Sequence, residues 1–287
     1  MSLRFETDAT GGVTVWLHGQ PQSYVDPADP LLLAFEYVEQ LAVALDVAAP
    51  EGERLAVTHV GGAGLTLARY VEATRPGSPQ IVFEPDASLT EAVRRELPLS
   101  RGHRIRVRPL DGRSGLAGLA DTSADVLVVD AFSDGQIPVE LTTSDFYAET
   151  ARVLRPAGLL AANLTDSPDR RYLARVFAAV GTTYPSCVVL GTHDVLKGRR
   201  FGNYVLVAGR SALPVGDLSR RCARTSAPTG LWDTARVAAL ARSGSYLAGD
   251  RRVSPKERSQ WRHTFRRLTQ SAQEALRGEE VETAASA

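Results

Sequence analysis

The chain has 287 residues, 44% of them hydrophobic and 23% charged, enough to build a core without staples. Its 33 basic and 33 acidic side chains cancel, so no global field recruits nucleic acid or anionic lipid. Two distant cysteines outside any CxxC pattern argue against a disulfide framework or a zinc site. No window of about 18 apolar residues suggests a membrane span. The N-terminus, MSLRFETDATGG, has no apolar signal stretch, so a cytoplasmic protein is expected.

Short β-like runs flank Gly11-Gly12 and predict a hairpin over about residues 3–19. The Pro- and Asp-rich stretch QPQSYVDPADP is expected to be irregular, followed by an apolar helix over about 31–48 that Pro50 and Gly52 end. From Arg54 strands alternate with helices. Strands are expected at 55–60, 80–84, 105–108, 126–130, 159–163, 187–190 and 203–208, with helices over 65–74, 88–97, 143–154 and 170–180. Such alternation implies right-handed crossovers and a mainly parallel sheet buried on both faces. The fold class is therefore α/β: a seven-stranded, mostly parallel Rossmann-like sheet with a small N-terminal hairpin and a C-terminal helix. The last two strands lack a convincing helix between them, which favours an antiparallel closing strand. Three units are expected: 1–52, hairpin and linking helix; 53–210, nucleotide-binding domain; 211–287, loops, a short helix near 234–242, a basic helix starting at Ser254-Pro255 and a disordered tail.

Four constellations carry chemistry. VGGAG places Gly61, Gly62, Ala63 and Gly64 between a strand and a helix, where a backbone can approach a ligand closely and the helix N-terminus adds positive partial charge. Glu84, with Asp86 close behind, lies about 20 residues further on, where a carboxylate accepts from a ribose diol. The spaced glycines of a dinucleotide site are missing, which suits a nucleoside-bearing co-substrate without a pyrophosphate, such as S-adenosylmethionine. Asp111-Gly112 follows the third strand and is either an adenine contact or a surface turn. VLVVDAFSDGQIP puts Asp130 and Asp134 past the carboxyl end of the clearest strand, where they can hold a cationic amine or take its proton. His59 reads as a packed histidine, and no other histidine has metal-site spacing.

From about Gly19 to Ala208 the chain resembles the spermidine synthase (polyamine aminopropyltransferase) family. GQPQSYVD with its FEY helix is similar to the family's entry segment. VGGAGLTL resembles the turn GGGDGGTL, and VFEPDASL the ribose loop. VLVVDAFSDGQIPVELTTSDFYAETARVLRPAGLLAANL resembles the D-x-x-x-D segment with its following helix and strand. The resemblance implies decarboxylated S-adenosylmethionine, or S-adenosylmethionine, as co-substrate, no metal, a small amine as acceptor, and a homodimer. It implies that Gln22 touches the sulfur region, Glu84 the ribose, and Asp111 and the Gly112 backbone the adenine. Asp130 and Asp134 would flank the reacting centre, with Asp134 as base, and Tyr37 or Phe35 would line the amine channel. Ala63 stands where the family's turn carries an Asp, so one charge-assisted contact worth about 1.5–3 kcal/mol is absent. A methyl transfer from S-adenosylmethionine and a non-catalytic nucleoside-binding role stay open at this point.

Overall fold

The structure, a computed structural model, describes residues 3–132 and 137–246. Five strands set its frame: β4 (Val57–Val60), β5 (Gln80–Phe83), β6 (Ile105–Arg108), β7 (Ala124–Val129) and the longer β8 (Leu154–Asp166). All five pair in parallel, in the order β8-β7-β4-β5-β6. The linking helices are α2 (Thr66–Thr74), α3 (Ala87–Glu96), α4 (Gly112–Ala117) and α5 (Ser144–Val153). The chain runs outward from β4 to β6 and then returns to β7. The reversal puts a topological switch point between the ends of β4 and β7, the place where open α/β sheets bind ligands.

Beyond β8 the sheet continues through α6 (Arg171–Val180), β9 (Ser186–Thr192), a four-residue turn of helix α7 (His193–Leu196) and β10 (Gly202–Gly209). β10 lies antiparallel between β8 and β9, as the missing crossover helix predicts. After α8 (Val215–Cys222), a strand β11 (Thr229–Trp232) adds to β9, and α9 (Thr234–Ala241) ends the described chain. The sheet therefore has eight strands rather than seven, because β11 extends it at a place where only loops were expected. The helix expected from Ser254 lies outside the described residues.

Alternate strand positions fill two cores. On one face Phe83, Leu127, Val129, Leu160 and Leu164 pack with α5 and α6. On the other Val57, Val126, Val128, Ala161, Val205 and Val207 pack under α1 (Glu36–Ala48). α1 starts five residues later than the periodicity suggests. Pro30 and the Asp29 turn precede it, Phe35 is extended, and Leu31 and Leu32 are exposed.

At the N-terminus β1 (Leu3–Thr7), β2 (Val13–Leu17) and β3 (Gln20–Val25) form a separate antiparallel sheet. QPQSYV was expected to be irregular and is a strand. Pro21 is tolerated because β3 lies at the edge of this sheet and Pro21 flanks a bulge in its pairing with β2. Val13, Val15 and Val25 bury against Leu65, Ala68 and Val82, which docks this sheet on the main domain.

Candidate active site

The turn after β4 is built on positive φ. Gly61 sits at +81°, Gly62 at +149°, Ala63 at +30° and Leu65 at +63°. Two non-glycine residues in this region store strain of the kind that clusters at functional sites. Gly61 is required for a second reason: a Cβ there would lie 2.2 Å from the carbonyl oxygen of Asp130. The turn therefore rests directly on the backbone leaving β7. Other backbone N–H groups tie it in place. Gly61 donates to Phe83 O at 2.9 Å, and Gly64 donates to the Ser23 hydroxyl of β3 at 3.0 Å. The Ala63 N–H donates toward the Glu84 carboxylate.

Glu84 leaves the end of β5 beside this turn. Burial pushes its carboxyl up from the ordinary value, while the backbone N–H groups of Asp86 and Ala63 pull it down. Asp86 Oδ1 caps α3, accepting from Leu89 N at 3.0 Å and from the Ser88 hydroxyl at 2.6 Å. Asp111 caps α4 by accepting from Ser114 N at 2.9 Å, a bond that lowers its pKa. Asp111-Gly112 is thus a helix start rather than a loose turn. Gly112 is pressed on the end of β4, where a Cβ would lie 2.3 Å from Val60 Cγ1. That contact brings the α4 N-terminus to the carboxyl edge of the sheet, beside the turn.

Asp130 follows β7. It is half-buried by surface, yet protein atoms crowd its carboxyl, and this desolvation lifts its pKa to about 6. A 2.9 Å bond donated by Asn163 Nδ2 opposes the lift. Tyr37, on the first turn of α1, feels the Asp130 charge; burial first and that charge second raise its hydroxyl well above the usual value. It is a neutral O–H at any working pH. Phe35 stacks on Tyr37 with ring centroids 6.0 Å apart.

Gln22 occupies a bulge. Val15 pairs with Ser23 and Trp16 with Pro21, which leaves Gln22 unpaired on β3 one residue before the hydroxyl that holds Gly64. Bulges re-aim side chains in this way. The turn, Glu84, Asp130 and Tyr37 therefore gather at the switch point, and Gln22 lies on the N-terminal sheet next to Ser23, which holds the turn. Asp134 lies outside the described residues. His59 is a packed group: its Nε2 bonds Gln80 Oε1 at 2.9 Å, and burial lowers its pKa to about 4. Among the described residues, no group of three His, Cys, Asp or Glu could hold a metal. No helix among them is long and apolar enough to cross a membrane.

Sequence reasoning overlooked Asn163. Its signal was a single amide in the apolar run LLAANL, one of few polar side chains in a strand buried on both faces.

Comparison with known proteins fits this geometry. No family model matches the chain. A polyamine aminopropyltransferase of Vibrio vulnificus is 28% identical over 198 residues, which are 68% of this chain and 62% of that protein. A probable spermidine synthase from Corynebacterium glutamicum superposes with a TM-score of 0.79 at 28% identity, over 88% of this chain and 94% of that one. The chain is similar in sequence and in structure to proteins named polyamine aminopropyltransferase and probable spermidine synthase. It spans 62% of the length of the curated relative it matches. The human methyltransferase-like protein 13, solved in complex with SAH, superposes with a TM-score of 0.55 over 77% of this chain and 96% of its own. At 20% identity that likeness shows the fold alone, and the fold is class I methyltransferase-like. The chain brings the Gly-rich turn, the acid at the end of β5 and the aspartate after β7 to one place.

Proposed function

We propose that the protein is a spermidine synthase-like transferase that binds decarboxylated S-adenosylmethionine and moves its aminopropyl group to a small amine. The observation that carries the reading is the contact of one turn with both acidic residues, with the carboxylate of one and the backbone of the other. The turn's Ala63 N–H meets Glu84, and its Gly61 rests on the Asp130 backbone. A ribose held at Glu84 therefore fixes where the sulfonium of the same molecule lies relative to Asp130.

In the step proposed, the acceptor nitrogen attacks the methylene carbon beside the sulfonium. A new C–N bond forms, and the C–S bond breaks with its electron pair going to sulfur, leaving neutral methylthioadenosine. The nitrogen sheds one proton. Asp130, with a pKa near 6, is ionised at neutral pH, attracts the ammonium and is a competent relay for that proton. Tyr37 supplies a neutral hydroxyl close enough to Asp130 to feel its charge. Positioning of the two reactants does much of the rest. Asp134 is the second acid of this scheme, and the homodimer rests on the resemblance alone; light scattering tests it.

Parallel calorimetric titrations with methylthioadenosine, decarboxylated S-adenosylmethionine and S-adenosylmethionine test the reading. Tight binding of the first two and weak binding of the third is expected. A preference for S-adenosylmethionine, whose carboxylate would have to sit near Asp130, would contradict it.

A further inference from the structure

The strand-end carboxylate has a companion that the aminopropyl scheme does not use. Asn163 lies in β8 opposite Val205 of β10, and is only 2% exposed. Leu159 and Ala161, at alternate positions before it, pack in the core beneath α1, the helix that carries Tyr37. Its Nδ2 donates to Asp130 Oδ1 at 2.9 Å. Its Oδ1 is buried and has no hydrogen-bond partner among the described residues. A buried amide oxygen left unpaired is costly, so the protein gains by bringing a donor to it. The amide is small and planar. Its unpaired oxygen therefore lies just beyond the group that touches Asp130.

We propose that Asn163 is a positioning residue for the acceptor amine: its N–H fixes the Asp130 carboxylate, and its carbonyl oxygen accepts a second N–H of the same ammonium nitrogen. This deepens the proposed function and rests on it. The pairing matches the ligand by type. A carboxylate and an amide oxygen are both acceptors, and a primary ammonium offers three donors and no acceptor. A hydroxyl or carboxylate acceptor molecule would leave the amide oxygen unpaired or repelled. Asn163 also supplies a side-chain acceptor from the sheet, where the turn, with the methyl of Ala63, supplies no side-chain acceptor. The one titratable group facing Asp130 from α1 is Tyr37, which stays neutral, and from β8 the facing group is the uncharged Asn163.

The test uses the full chain with Asn163→Leu, which keeps the branching and heavy-atom count while removing both polar atoms, and Asn163→Asp, which keeps the shape. Carbon-detected NMR titration of Asp130 without ligand reads the fixing role. Asn163→Leu is expected to raise the Asp130 pKa by about one unit, since a bond to the charged form is lost. Asn163→Asp is expected to give a pair sharing one proton, with an upper step above about 7. Calorimetry with a linear diamine, methylthioadenosine being saturating, reads the acceptor role. A loss of at least about tenfold in diamine affinity is expected for Asn163→Leu, with methylthioadenosine affinity unchanged as the check on folding. An unmoved Asp130 titration, or an unmoved diamine affinity, overturns the proposal. If the unmodified protein binds methylthioadenosine but no amine, both the acceptor role and the transferase reading fall. If it binds the diamine and the Asn163 variants bind it equally well, the transferase reading stands and the Asn163 proposal falls.

Discussion

Two buried polar pairs sit on neighbouring strands and end differently. His59 on β4 meets Gln80 on β5, and the other end of that Gln80 amide donates to Ala68 O at 3.0 Å. Asp130 after β7 meets Asn163 on β8, and the other end of that amide meets nothing among the described residues. Burial favours the neutral form of both titrating groups, so His59 falls to about 4 and Asp130 rises to about 6. The closed pair braces the sheet. The open pair lies at the switch point beside the Gly-rich turn, and it is the one we propose receives a ligand.

Replacing Asp130 should break the contrast most visibly. Asp130→Asn is expected to lower the rate of aminopropyl transfer by about 10²- to 10⁴-fold in single-turnover assays, with methylthioadenosine affinity kept. The same change should stabilise the fold. A folded pKa of about 6 against an ordinary 3.8 means that the carboxyl destabilises the folded state above pH 6. That cost is up to about 3 kcal/mol and fades as pH falls toward 3.8. His59 has the opposite slope. Its folded pKa of about 4 lies below 6.5, so its contribution is full above 6.5 and is lost as pH falls to 4, again by about 3 kcal/mol. In the unmodified protein the two slopes offset one another between pH 6 and 4. Denaturant melts of Asp130→Asn should show higher stability at pH 7 and a steeper decline on acidification.

Gly61→Ala tests whether the turn and Asp130 are one unit. The new Cβ would strike the Asp130 carbonyl at a φ of +81°. A loss of at least about 2 kcal/mol in chemical denaturation is expected, with the Asp130 titration displaced as well. Glu84→Gln should weaken methylthioadenosine by about 10- to 100-fold in calorimetry and leave Asp130 untouched, because its role ends at the nucleoside. Asp111→Ala is the smallest. Losing an exposed helix cap should cost about 1 kcal/mol in a thermal melt. A far larger drop in adenosine affinity than in stability would show that Asp111 also contacts the base.

The acids and the turn were legible because they are local patterns: glycines where the backbone must turn, and a carboxylate at the end of an apolar run. What escaped was set by contacts between distant segments. Asn163 becomes meaningful only when β8 lies beside β7. The run GRSGLA reads as loop, yet Gly115 is needed inside α4 because a Cβ there would meet the Phe83 ring at 2.4 Å. β11 is a four-residue edge strand containing Gly230, weak by propensity, and holds because β9 is there to pair with it. The bulge at Gln22 is likewise a property of two strands together.

The central claim is that this site moves an aminopropyl group to an amine under the control of Asp130. The most direct measurement incubates the protein with decarboxylated S-adenosylmethionine and a linear diamine, and follows methylthioadenosine and the extended amine by mass spectrometry across pH. The account predicts equal amounts of both products, amine-dependent, with a rate that falls on acidification through about pH 6 as Asp130 takes up its proton. Methylthioadenosine release without amine, or no product from a protein that binds the nucleoside normally, would contradict it.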